Sequence, residues 1–269
     1  MSNRRSTRLP PAEEVLPLAP LPQAGGVSPG APLPQAGGAG GGQAARRSVG
    51  NIVTTILRNT AAVSAVEFAL LAPLLMTVGL GTIELANMAL VYTRISQVAI
   101  QVADNTSRSK QATGSSGAIM REYDVDDALA QVDLVYPGLQ VFTNGRVIVS
   151  SLEQNSSGGQ WIHWQRCRGL ATLGSSKYGT QGTGSSGTGF AGMGPTGTVV
   201  TADANSAIMF VEVYYKYQPI FFNIGNTTAP TIYRAAAMYV RDDRDLTGGA
   251  GANNAGIANP SPAATSYTC

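Results

Sequence analysis

Histidine occurs once in this 269-residue chain, and cysteine and tryptophan twice each. One histidine with Cys167 and Cys269 cannot furnish the ligand set of a zinc site, so neither a metal nor a cofactor is expected. Charge is scarce too. Asp, Glu, Lys and Arg make up 13% of residues, and the formal net charge is +2. No basic field of the kind that holds nucleic acid follows from that balance. The sequence also lacks a Gly-x-Ser-x-Gly elbow and a phosphate-binding loop with its lysine. Catalysis needs converging groups. The single His163 stands between Trp161, Ile162 and Trp164. It reads as an exposed position on a strand face; a base, or part of a sugar-stacking platform, is the alternative. The chain is therefore expected not to be an enzyme.

Small and turn-forming residues are abundant, with 32 glycines and 15 prolines. Many fall in residues 1–60, which carry the repeat Ala19-Pro-Leu-Pro-Gln-Ala-Gly-Gly26 and Ala31-Pro-Leu-Pro-Gln-Ala-Gly-Gly38. Such a tract cannot bury enough apolar surface to offset chain entropy, so a disordered leader is expected. It is basic: Arg4, Arg5, Arg8, Arg46, Arg47 and Arg58 face only Glu13 and Glu14.

A transmembrane helix with an amphipathic extension is expected over residues 61–110, its apolar run reaching from Ala61 to Thr93. Phe68 to Ile83 holds no charge, and Leu85 to Tyr92 extends it. About 20 apolar residues in a helix span a bilayer core of about 30 Å. A basic flank before such a span predicts an inside N-terminus and an exported remainder. Glu67 and Glu84 bracket the run about 25 Å apart along a helix, so both can sit near interfaces. On this reading Glu84 is a boundary residue with no further role. Pro73, which cannot donate to the carbonyl of Ala69, predicts a kink. Val91, Ile95, Val98 and Val102 recur every three to four positions, so the helix continues as an amphipathic spine for a folded domain.

Residues 111–247 read as a small exported α+β domain. Asp124 or Asp126 can cap a short helix through Ala128 to Leu134. Thr143-Asn-Gly145, between Leu139 to Phe142 and Arg146 to Ser150, is a hairpin signal. Gln160 to Gln165, Ala207 to Tyr217 and Tyr233 to Arg241 read as further strands. Residues 174–198, rich in Gly, Ser and Thr, predict a long mobile loop. Residues 248–269 read as a flexible tail. In an oxidising compartment Cys167 and Cys269 can pair; two free thiols are the alternative.

The segment AVEFALLAPLL, continuing to GTIELANMALVYTRISQVA, resembles the N-terminal module of TadE-like proteins of tight-adherence pili, which are relatives of type IV pili. VEVYYKYQP at 211–219 and RAAAMYVR at 234–241 are similar to the closing strands of that group. The resemblance implies a pilin-like fold: a long N-terminal transmembrane helix followed by a small antiparallel sheet. It also implies a pseudopilin or membrane-anchored assembly factor in the bacterial inner membrane, with its C-terminal domain periplasmic or extracellular. Its partners would be other pilin-like subunits, the pilus assembly platform and a prepilin peptidase. Carried onto this chain, Ala62 precedes the cleavage point, Val63 begins the mature protein, Glu67 is the packing glutamate and Phe68 the aromatic after it. Ala62 stands where the motif usually has glycine. A membrane-tethered module binding glycan or another surface partner, through the tryptophans and the Gly-rich loop, is the competing reading.

Overall fold

The computed structural model describes residues 54, 60–109, 111–112, 118–221, 228–241, 243–249, 252 and 255–269. The chain divides into Met1–Arg58 and Asn59–Cys269. The elements below belong to the second unit. The leader expected over residues 1–60 falls almost wholly outside the described residues.

One helix, α1 (Thr60–Arg108), runs through the apolar stretch and the amphipathic one without interruption. Pro73 lies inside it. The carbonyl of Pro73 accepts the Thr77 hydroxyl at 2.7 Å. No residue from Val63 to Ile83 is buried, whereas Glu84, Val91, Ile95, Val98, Val102 and Thr106 are. Those spacings of three, four or seven residues place one stripe against the rest of the molecule. At the C-terminal end, where carbonyls run out of helical partners, Arg244 Nη2 donates to Thr106 O at 3.1 Å and to Ser107 O at 2.9 Å.

After the short pair β1 (Gln111–Ala112) and β2 (Ala118–Ile119) comes α2 (Glu122–Val135). Its cap differs from expectation. Arg121 is the N-cap, and Asp124 closes the turn from the N3 position by accepting the Arg121 amide at 2.8 Å. The hairpin expected at Thr143-Asn-Gly145 does not form. Residues Val141–Asn144 make a helical turn, α3, which leads into β3 (Gly145–Gln154). Gly145 serves close approach instead: a Cβ there would meet Tyr214 O at 2.5 Å and Val141 O at 2.7 Å.

The sheet is antiparallel and four-stranded, in the order β4-β3-β5-β6, completed by β4 (Gln160–Gly169), β5 (Ala207–Lys216) and β6 (Thr231–Tyr239). The hairpin joining β3 to β4 turns at Asn155, whose Oδ1 accepts the amides of Ser157 and Gly159 at 2.8 and 3.0 Å. The fold class is thus α+β, as the sequence predicted.

Both faces of the sheet are covered, so β3 and β5 are buried almost without alternation. On one face, Val147, Val149, Val211 and Val213 pack with the α1 stripe and with Val125, Leu129 and Val132 of α2. On the other, Leu152, Ile162, Ile208 and Phe210 pack against Tyr178, Phe190, Met193 and Val200 of the Gly-rich segment. That segment was expected to be mobile; its few large apolar side chains instead make it a cover. Asn155 Nδ2 holds it by donating to Gly184 O and Gly187 O, each at 2.7 Å.

The tail is likewise seated rather than loose. Cys167 and Cys269 form a disulfide. Cys167 N donates to Tyr267 O at 2.7 Å, and Ala258 N to Met120 O at 2.9 Å, while Ile257 is buried. Along the outer edge of β4, Ile162 exchanges backbone bonds with Gly182 and Thr183, and Cys167 bonds the tail. Loop and tail together occupy an edge that would otherwise offer free amides and carbonyls.

Candidate functional site

Three groupings of polar side chains stand out, two of which tie one layer of the molecule to another. The first lies where α1 passes from bare to covered. Glu84 is 1% exposed, although it stands at the end of an uncharged run. A desolvated carboxylate must be satisfied by donors. Here Tyr217 Oη donates to it, as do the amides of Ile220 and Phe221, each at 3.1 Å. Asn87 Nδ2, one turn further along α1, donates to Tyr217 Oη at 2.8 Å. Burial pushes the Tyr217 phenol up to about 12, so it remains a donor at neutral pH. The end of β5 is thereby clasped to the helix. The sequence reading of Glu84 as a boundary residue without a role is corrected by this geometry. No signal within α1 marks it, because its partners lie far along the chain.

The second grouping is on β3 and β4. Ser151 Oγ donates to Glu153 Oε1 at 2.6 Å, and Glu153 Oε2 lies 2.7 Å from His163 Nδ1. The His163 ring stacks on Trp161 with centroids 4.2 Å apart. His163, expected to be exposed, is 6% exposed. The reason is a register shift opposite Ser151 and Leu152, which pair with Trp164 and Ile162 and leave His163 as the extra residue of a bulge. A bulge re-aims the side chains around it. The tail closes over this cluster at Gly256, where a Cβ would lie 2.8 Å from His163 Nδ1 and 2.7 Å from Trp164 Cδ1. In a nucleophilic triad the hydroxyl bonds the imidazole; in this cluster it bonds the carboxylate instead.

The third grouping joins α2 and the Gly-rich loop to the sheet. Arg166 Nε donates to both Glu122 oxygens, at 3.0 and 2.9 Å, in a buried ion pair. Glu212, fully buried in β5, accepts the Lys177 amide at 3.0 Å and the Tyr233 hydroxyl at 2.9 Å through Oε1. Burial, with Glu212 beside it, pushes the Tyr233 phenol up. Among the described residues no group of three or more His, Cys, Asp or Glu could hold a metal ion.

The residues singled out for processing do not converge with any of these. Ala62, Val63, Glu67 and Phe68 all lie on the first turns of α1. Val63, Glu67 and Phe68 are exposed there, with no domain residue over them. The α1 helix is long and apolar enough to cross a membrane. Val63 to Ile83 measures about 30 Å at about 1.5 Å per residue, the thickness of a bilayer core. Glu84, the first helix residue that the domain covers, begins where that length ends.

No curated protein and no solved structure matches the chain. Residues 62–104 match the family model described as TadE-like protein. That interval holds the bare stretch of α1, the helix side of the Glu84 clasp and most of the stripe beneath the sheet. The chain thus carries the TadE-like module over residues 62–104.

Proposed function

We propose that this protein is a minor pilin-like subunit or membrane-anchored assembly factor of a tight-adherence pilus, a relative of type IV pili, and acts without catalysis. The observation that carries this reading is the coincidence of the TadE-like match with one helix built in two parts. The first part is bare over a bilayer's length, and the second is the spine of a sheet domain. The arginines preceding α1 support an N-terminus in the cytoplasm and a domain exported across the bacterial inner membrane. A disulfide within the domain accords with an oxidising compartment. Its buried Glu84, Glu122 and Arg166 are engaged in joining helix and sheet. The competing glycan-binding reading loses one of its two tryptophans, since Trp164 is 2% exposed.

On this reading the partners are the inner membrane, other pilin-like subunits, the assembly platform and a prepilin peptidase cutting between Ala62 and Val63. Glu67, exposed in the bare stretch, then meets the new amine of Val63 on a neighbouring subunit. Glu67→Ala is expected to leave membrane levels unchanged and to abolish surface pili, counted by electron microscopy of the native host. Normal piliation at normal membrane levels would contradict the pairing.

A further inference from the structure

The clasp at Glu84 does more than hold the domain to its helix. It brings the backbone of residues 218–221 alongside α1 at the level where the bare stretch ends. Ile220 and Phe221 project there with 59% and 49% of their surface exposed. Leu85 and Leu90, which follow Glu84 on α1, are also exposed, each at 56%. At the same end of β5, Lys216 is exposed. We infer that Ile220 and Phe221 insert into the lipid interface as a second apolar foot, so that the exported domain sits directly on the bilayer. The inference rests on the reading of α1 as a membrane span.

Two physical arguments support lipid as the occupant. Bare helix from Val63 to Ile83 matches the hydrocarbon thickness, which sets the outer boundary near Glu84. A segment hydrogen-bonded to Glu84 through two amides cannot be far from that boundary. Irregular backbone, moreover, is tolerated at membrane depth only when its polar groups are satisfied by the protein. The amides of Ile220 and Phe221 are the ones Glu84 accepts, so this loop can approach lipid without carrying those two donors unpaired. Exposed apolar side chains with a lysine four positions earlier in the chain suit the boundary between acyl chains and headgroups, where long cationic side chains extend to the polar layer.

The test uses the full chain reconstituted in phosphatidylcholine–phosphatidylglycerol vesicles. Phe221→Trp and, as a second variant, Ile220→Trp add an emitter to the native tryptophans, whose contribution is subtracted with the wild-type spectrum. Val199→Trp, in the loop at the opposite end of β5, is the control. Lipids brominated near the headgroup should quench most of the added emission at 221 and 220 and little of that at 199. Aqueous acrylamide should do the reverse. Quenching of both foot positions by acrylamide alone would overturn the inference and leave the span intact. Protection from both quenchers would also overturn it, assigning the patch to another protein surface such as a second copy. Release of the wild-type chain by alkaline extraction would remove the membrane span itself, and the inference with it.

Discussion

Replacing Glu84 with alanine is expected to loosen the sheet from its helix while the helix stays in the membrane. The carboxylate accepts two backbone amides and one phenol at a site 1% exposed. Removing it leaves the amides of Ile220 and Phe221 without that acceptor, and an unsatisfied buried donor costs about 1–3 kcal/mol. For two such donors the summed cost is about 2–6 kcal/mol, a large share of a small domain's stability. Tyr217→Phe removes one donor and leaves the two amides in place, so its cost should be smaller, about 1.5–3 kcal/mol for a bond to a charged group. Thermal unfolding of the purified protein in detergent, followed by near-ultraviolet circular dichroism, should rank wild type above Tyr217→Phe and that above Glu84→Ala. A residue that merely marked the membrane boundary would give wild-type unfolding in both variants.

Loss of the disulfide should be costlier to the domain than most single changes. Cys167 and Cys269 are separated by 102 residues, and cross-linking a loop of that size stabilises by about 4–5 kcal/mol in the chain-entropy model. The enclosed chain includes the Gly-rich cover, β5 and β6, so the unfolded state gains much freedom when the bond is absent. The double variant Cys167→Ser, Cys269→Ser should unfold at markedly lower urea, and proteinase K, which needs no basic residue, should release the end of the tail. The bonds of Ala258 to Met120 and Glu122 should hold the tail's middle longer. An unchanged urea midpoint with a protease-resistant tail would show that the remaining contacts suffice.

The helix and the sheet strands were legible because their signals are local. The spacing of Val91, Ile95, Val98 and Val102 describes one buried face, and it is the face observed. The run from Ala207 to Tyr217 is β5 almost to the residue. What the sequence concealed depends on partners distant in the chain. Glu84 finds Tyr217 and the amides of 220–221 across more than half the folded unit. His163 was read as an exposed position on a strand face, whereas a one-residue bulge and the tail at Gly256 enclose it. The Gly-rich segment looked mobile by composition, yet Tyr178, Phe190, Met193 and Val200 suffice to lay it on the sheet. The tail was read from its small residues, whereas Ile257 and Cys269 anchor it. Thr143-Asn-Gly145 carries a turn pair, but the glycine is spent on close packing beside Tyr214.

The central claim is that α1 crosses the membrane with the sheet domain on the far side, and a reporter fused after Cys269 tests it most directly. That position keeps the seated tail and its disulfide. Alkaline phosphatase there should be active and the membrane fraction should retain it through alkaline washing, while green fluorescent protein at the same position should stay dark. A fluorescent, phosphatase-inactive pair of fusions would place the domain in the cytoplasm and contradict both the topology and the pilus reading built on it.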